Sequence, residues 1–156
     1  MKLHLVCDVS GSMGDTGKPF ILRTVVTTVA QWVLYGYGHA EITLWAWASE
    51  TRRLPDWCIK SEFPPELLLC AGTSNSAPLI QSLSNKPDGK VLLITDGFWS
   101  KDEERNLKLW KDELTLNTLR IIKIGADANP QLKGTDLFSS EELFSALDGW
   151  MEGSTT

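Results

Sequence analysis

The feature that most constrains the fold is an apolar run that ends abruptly in small polar residues. Residues 3–7 (LHLVC) are typical of a strand buried on both faces, and the residues that follow are DVSGSMGD. A second apolar run, VLLIT at 91–95, also ends at an aspartate, Asp96. The carboxyl ends of parallel strands meet at one edge of a sheet, where ligands bind. We therefore expect Asp8 and Asp96 to lie at the same edge.

Helical patterns alternate with the strand patterns along the chain. Apolar residues recur at helical spacing from Pro19 until Gly36 and Gly38 end the pattern, and residues 101–116 have an amphipathic pattern. Ser139 or Ser140 is a candidate cap for a last helix. The other predicted helices cover 64–69, 77–83 and 141–151.

This alternation predicts an α/β fold with a single doubly wound, Rossmann-like domain. The central sheet is expected to be mainly parallel, with helices on both faces. Residues 41–47 and 51–54 are predicted to form a hairpin that adds one antiparallel edge strand, and 119–124 form a third buried strand. We assign residues 1–152 to the domain and 153–156 to a disordered tail.

Charge and cysteine content narrow the functional classes. The net charge of −5 argues against nucleic-acid binding, which needs clustered basic residues. The three cysteines show no CxxC spacing, so they predict neither a disulfide framework nor a zinc knuckle. The first apolar run is too short for a signal peptide, and Arg23 and Gln31 make residues 20–37 a poor membrane span. We expect a cytoplasmic protein that does not bind membranes.

The polar residues at the predicted strand ends form an all-oxygen set. Asp8, Ser10 and Ser12 alternate, so their side chains can converge on one point, and Thr73 and Asp96 add a hydroxyl and a carboxylate. Oxygen ligands without histidine or thiolate suit a hard cation, namely Mg²⁺, with Mn²⁺ or Ca²⁺ as possible substitutes. Such a set would leave one coordination position open for an outside ligand.

These residues resemble a known motif. Asp8-Val-Ser10-Gly-Ser12-Met13, Gly72-Thr73 and Thr95-Asp96-Gly97 resemble, in order and spacing, the von Willebrand factor type A (vWA) domain with its metal-ion-dependent adhesion site (MIDAS), here of a minimal, bacterial, cytoplasmic type. The resemblance implies direct metal ligation by Ser10 and Ser12, and contacts from Asp8 and Asp96 mainly through water. Thr73 would bind directly or through water. Because Ala71 replaces a glycine common in the family, Ser74 and Ser76 remain alternatives to Thr73.

The same resemblance implies a protein partner. An Asp or Glu of the partner would fill the open metal position, possibly within a multi-protein system that contains an AAA+ ATPase. The domain itself is expected to be a monomer. Phe98 and Trp99 follow the TDG turn, where their rings could anchor the partner or pack back on the sheet.

Three functional hypotheses follow. The first is a non-enzymatic protein–protein interaction module that acts through the metal. The second is a Mg²⁺-dependent phosphohydrolase or phosphotransferase with Asp8 as nucleophile; such enzymes usually carry a second acid two residues later, where this chain has Ser10. The third is a scaffold with a vestigial metal site.

Overall fold

The architecture is built around one central sheet. The structure, a computed structural model, describes residues 1–151. The predicted domain end at 152 and the predicted disordered tail, 153–156, lie outside the described residues. The sheet has six strands in the order β3-β2-β1-β4-β5-β6. The strands are β1 (Lys2–Asp8), β2 (Glu41–Trp47), β3 (Thr51–Arg53), β4 (Lys90–Thr95), β5 (Leu119–Lys123) and β6 (Leu137–Ser139).

Strand pairing confirms the predicted mainly parallel sheet. Strand β1 pairs in parallel with β2 on one side and β4 on the other, and β5 and β6 continue the parallel run. Only β3 is antiparallel, and it forms the edge next to β2. The direction of the strand order reverses between β1 and β4. This is the switch point where open α/β sheets hold their ligands.

Helices cover both faces of the sheet, as predicted. The α-helices are α1 (Lys18–Gly36), α2 (Ser76–Leu83), α3 (Lys101–Glu113) and α4 (Leu143–Leu147). Short 3-10 helices occupy Gly11–Gly14, Pro65–Leu68 and Ser140–Glu142. None of the helices within residues 1–151 combines the length and the apolar character that crossing a lipid bilayer would need.

The two faces of the sheet bury separate apolar clusters, because alternate strand residues point to opposite sides. The first cluster joins β1 to α1 and α4 through Leu3, Leu5, Cys7, Val25, Val29, Val33, Leu143 and Leu147. The second joins the sheet to α2 and α3 through Val6, Leu93, Ile121, Leu79, Leu83, Leu107 and Trp110. Strands β1 and β4 are therefore held from both sides, which fixes their carboxyl ends.

Two elements differ from the sequence-based prediction. Strand β6 was not predicted, and it pairs with β5 over only three residues. The helix predicted at 141–151 is replaced by a 3-10 turn followed by the short α4. Helix α4 ends at Leu147 because Gly149 adopts a left-handed backbone conformation, with φ of +74°.

Candidate metal centre

Asp8 is the last residue of β1, and its carboxylate is completely buried. The backbone N–H of Ser10 donates to Asp8 Oδ1 at 2.9 Å, and Thr95 Oγ1 donates to Asp8 Oδ2 at 2.6 Å. Ser74 Oγ lies 3.3 Å from each carboxylate oxygen. Neutral donors from three different chain segments thus converge on this carboxylate.

The loop after β1 turns back immediately over the sheet edge. Residues Gly11–Gly14 form a 3-10 turn in which the N–H of Met13 donates to the carbonyl of Ser10 at 3.0 Å. The Met13 side chain is buried and anchors the turn, while Ser10 is buried beside Asp8 and Ser12 is partly exposed. The turn therefore keeps both predicted serine ligands near the end of β1.

Asp96 follows the last residue of β4 and is also completely buried. Its Oδ1 accepts from the N–H of Phe98 at 3.2 Å, and its Oδ2 accepts from Lys18 Nζ at 3.1 Å. The next residue, Gly97, has φ of +78° and donates its N–H to Thr95 Oγ1 at 3.0 Å. Thr95 therefore connects the Asp8 carboxylate to the backbone of the turn that carries Asp96.

A third loop, residues 71–75, is fastened to the loop after β1. The N–H of Ala71 donates to the carbonyl of Val9, and the N–H of Gly11 donates to the carbonyl of Gly72, both at 2.9 Å. Gly72 has φ of +82°, and a Cβ there would lie 2.5 Å from Ser49 Oγ, so the loop needs glycine at this position. The close approach of the two loops therefore depends on the backbone conformation of Gly72.

Within that loop the structure places two neighbouring hydroxyls differently. Thr73 is exposed, and its Oγ1 donates to Asn75 Oδ1 at 2.9 Å. Ser74 is buried against Asp8. Ser76 begins α2, where its N–H donates to a carboxylate oxygen of Glu103. The structure thus brings Ser74 onto Asp8, and ligation by Thr73 stays a prediction.

Lys18 is a component of the site that the sequence reasoning missed. It is the first residue of α1, and its side chain is only 1% exposed. Its Nζ donates to the carbonyl of Ser12 at 3.2 Å and to carboxylate oxygens of Asp96 and Asp127, each at 3.1 Å. Lysine at a helix N-terminus opposes the helix dipole, and this was the one sequence signal that could have identified it.

Thr95 is part of the TDG motif, but the sequence reasoning did not predict it as a site residue. Its side chain is completely buried and makes the shortest hydrogen bond to Asp8. A threonine that ends a buried strand beside an aspartate was its signal in the sequence. Its role is to hold Asp8, which is a different role from contacting a metal.

Burial and hydrogen bonding shift the pKa values at this edge in different directions, and burial is the larger cause at Asp8. Burial raises the pKa of the Asp8 carboxyl, and the hydrogen bonds from Ser10 and Thr95 oppose this rise only in part. Burial alone would lower the pKa of Lys18, but hydrogen bonds to Asp127 and Asp96 outweigh it and the net direction is upward. The Lys18 ammonium also holds the pKa of Asp127 below its usual value.

The donor set fits a hard divalent cation that is held partly through water. Among residues 1–151, no ammonium or guanidinium group forms an ion pair with Asp8, so its buried charge is unbalanced. The same part of the chain contains no cluster of three His, Cys, Asp or Glu side chains able to hold a metal. A cation at this edge would therefore rely on two carboxylates together with hydroxyls and water.

Comparison with known proteins gives matches in structure alone. A scan against protein-family models finds no match, and a search of the curated proteins finds none. BatB from Bacteroides thetaiotaomicron is similar over 87% of this chain and 73% of its own, with a TM-score of 0.57 and 13% identity. An aerotolerance-related membrane protein from Bacteroides fragilis is similar over 86% of this chain and 76% of its own, with a TM-score of 0.53 and 13% identity.

A third solved structure has a metal at its MIDAS motif. Proximal thread matrix protein 1 from the mussel byssus, solved with zinc in that motif, is similar over 94% of this chain, with a TM-score of 0.55 and 13% identity. This chain covers 44% of the mussel protein. At such identities the similarity concerns the fold. With the six-stranded sheet and the two strand-end aspartates, these matches show that the chain has the von Willebrand factor type A fold.

Proposed function

We propose that this domain is a non-enzymatic protein-interaction module that binds a partner's carboxylate through a divalent cation. The observation that carries the proposal is the Asp8 carboxylate at the switch point. It is completely buried, it is surrounded by hydroxyl and amide donors, and no cation of residues 1–151 pairs with it. A buried, unbalanced carboxylate stabilises the fold poorly by itself, whereas it is well suited to attract a metal ion.

The proposed ligand roles are those that the resemblance to the vWA metal site implies. Ser10 and Ser12 would bind the cation directly, while Asp8 and Asp96 would hold its water ligands. Thr73 would complete the set if its hydroxyl turned from Asn75 toward the metal, and Ser74 is the alternative. Mg²⁺ suits this set because it retains several waters, and Mn²⁺ or Ca²⁺ could replace it. When bound, the cation would supply positive charge and an open position for an anionic group.

The proposed partner is a protein that presents an Asp or Glu side chain. A domain with a net charge of −5 would repel such a group, and a bound cation would reverse the sign at the point of contact. Phe98 lies beside Asp96 and is 47% exposed, so its ring is available to a bound partner. We further propose a monomeric, cytoplasmic domain that works with a multi-protein system of the AAA+ ATPase type. Exposed Cys58, a free thiol, is consistent with a reducing compartment.

The position of Asp8 disfavours the alternative of a phosphoryl-transfer enzyme. A nucleophilic carboxylate must bring one oxygen into contact with the phosphorus of a substrate, whereas a carboxylate that acts on a metal through water needs no contact with the ligand. Both oxygens of Asp8 are buried and accept hydrogen bonds within the fold, which suits the second role better. Ser10 occupies the position where a general acid would be required. The geometry therefore favours binding over turnover.

Affinity capture with immobilised domain tests the proposal. We expect the wild-type domain to retain an acidic partner in Mg²⁺ buffer and to release it in EDTA. Ser10→Ala should abolish retention, since it removes a metal ligand. Ser82→Ala changes an exposed serine on α2 and should have no effect. Circular dichroism checks that both variants fold.

Two results would contradict the proposal. One is retention of the partner that EDTA and Ser10→Ala leave equally strong. The other is Mg²⁺-dependent hydrolysis of a generic phosphate ester that Asp8→Asn abolishes, since this would favour the enzyme.

A further inference from the structure

Lys18 is a buried cation inside the proposed metal centre. Lysine is almost never fully buried unless its charge is paired, and a positive charge on the first residue of a helix is unfavourable. Both costs are offset here by acceptors, because Lys18 Nζ donates to the carbonyl of Ser12 and to the carboxylates of Asp96 and Asp127. The ammonium is therefore held in place by the same loops that would hold the metal.

The surrounding backbone leaves space for this side chain. Gly125, two residues after the end of β5, has φ of +98°, and a Cβ there would lie 2.7 Å from Lys18 Cε. The Phe98 ring centroid lies 5.7 Å from Lys18 Nζ, within the range of a cation–π contact. The absent side chain of Gly125 and the ring of Phe98 thus both accommodate the lysine side chain.

Of the two buried aspartates at the carboxyl edge of the sheet, only one has a positively charged partner among the described residues. Lys18 pairs with Asp96, whereas Asp8 has no ion-pair partner within residues 1–151. Without the lysine, two buried carboxylates would repel each other across the switch point. With the lysine, a divalent cation near Asp96 would be repelled by a fixed ammonium that binds the same carboxylate.

We propose that Lys18 is an internal counter-ion that shares Asp96 with the metal, so that it stabilises the metal-free domain and lowers the affinity of the site for the divalent cation. This inference rests on the proposed metal-dependent function and concerns its regulation. The affinity of the site for the metal is then set by this lysine together with the ligands. Lys18 is a positioning residue, since it acts on the metal through Asp96.

Replacement of Lys18 tests the proposal through stability and metal affinity together. In EDTA, Lys18→Met should lower the melting temperature, because Asp96 would lose its counter-ion while remaining buried. In calorimetric titrations with Mn²⁺, the same variant should bind roughly tenfold more tightly or better, because the repulsion is gone. A purely structural role would instead weaken Mn²⁺ binding. Lys18→Gln, which keeps a donor but no charge, replaces Lys18→Met if the latter does not fold.

Lys101→Met is the matched control. Lys101 is also the first residue of a helix, α3, but it is exposed, and its loss changes the net charge equally. It should leave both the melting temperature in EDTA and the Mn²⁺ affinity unchanged.

The outcomes separate this inference from the proposed function. If wild type binds Mn²⁺ and the Lys18 variants bind it equally or more weakly, the inference is wrong and the metal site stands. If only the Lys18 variants bind Mn²⁺, the lysine lowers the affinity as inferred, but the wild-type domain does not hold the metal and the proposed metal-dependent function is wrong. If neither binds, both proposals are wrong.

Discussion

Individual hydroxyl groups decide how the buried carboxylate at the switch point is stabilised. Thr95 and Ser74 donate to Asp8 from two different segments, and neither has an exposed side chain. A buried acceptor that loses its donor costs the folded state about 1–3 kcal/mol. The fold and the proposed site therefore depend on the same few oxygen atoms.

Substitution of the neighbouring hydroxyls at 73 and 74 should separate a structural role from a metal-binding role. We expect Ser74→Ala to lower the free energy of unfolding in EDTA by about 1–2 kcal/mol, because Asp8 loses a buried donor. Thr73→Ala should change it by less than about 0.5 kcal/mol, since Thr73 is exposed. Urea denaturation followed by circular dichroism measures both.

The same two variants report on ligation when Mg²⁺ is added. If Thr73 is a ligand, Thr73→Ala should reduce the stabilisation that Mg²⁺ confers on the domain. Equal stabilisation of wild type and Thr73→Ala, with loss only in Ser74→Ala, would show that Ser74 is the ligand.

For individual residues, the sequence correctly predicted where the aspartates at the strand ends lie. Asp8 and Asp96 come directly after apolar runs that are typical of buried strands, so their position at one edge could be predicted. The different positions of Thr73 and Ser74 could not be predicted from the sequence, because the backbone of a loop decides which of two adjacent hydroxyls points inward. Lys18 was missed because lysine is normally a surface residue.

The elements of the fold place charged groups at both ends of the sheet. At the amino ends of the strands, Asp88 accepts from Lys2 Nζ at 3.1 Å and contacts His4 Nε2 at 2.6 Å. His4 is buried and its Nδ1 lies 2.6 Å from Thr43 Oγ1 on β2. The turn before β4 is thereby attached to β1 and β2.

This cluster predicts a pH-dependent contribution to stability. The hydrogen bonds from Lys2 and His4 lower the pKa of Asp88 in the folded state. The contribution is therefore present above about pH 4 and is lost as the pH falls through the folded-state pKa. At neutral pH, Asp88→Asn should lower the free energy of unfolding by less than about 1 kcal/mol, because Asp88 is largely exposed.

The measurement is urea denaturation of wild type and Asp88→Asn at neutral pH and at about pH 3. The difference between the two proteins should shrink at the lower pH. Asp56→Asn, a change on the loop after β3, should match wild type at both pH values. A difference between wild type and Asp88→Asn that persists unchanged in acid would contradict the assignment.

Long periodic elements were predictable and short ones were not. Helix α1 carries apolar residues at helical spacing over many turns, and it appears where the pattern predicts it. Strand β6 is three residues long and only partly buried, so it leaves no periodic signal. The apolar spacing after residue 141 continues beyond α4, but the left-handed backbone at Gly149 ends the helix.

The net negative charge of the whole molecule would oppose binding of an acidic ligand. The molecule is acidic, with a net charge of −5, and its proposed ligand is also acidic. A divalent cation at the switch point would resolve this conflict locally, without changing the charge of the remaining surface. The sequence alone predicted the fold class and the position of Asp8 and Asp96 at one edge of the sheet, while the cation at that edge stays a prediction.

Direct titration of the domain with Mg²⁺ and Mn²⁺ tests the central claim that this edge holds a divalent cation. By isothermal calorimetry we expect wild type to bind one ion per chain. Asp8→Asn should weaken binding by roughly 10–100-fold, the usual effect of losing a group that acts on a metal through its ligands. Asp102→Asn, a change at an exposed position of α3, should bind like wild type. Absence of binding to wild type, or equal affinity in Asp8→Asn, would contradict the claim.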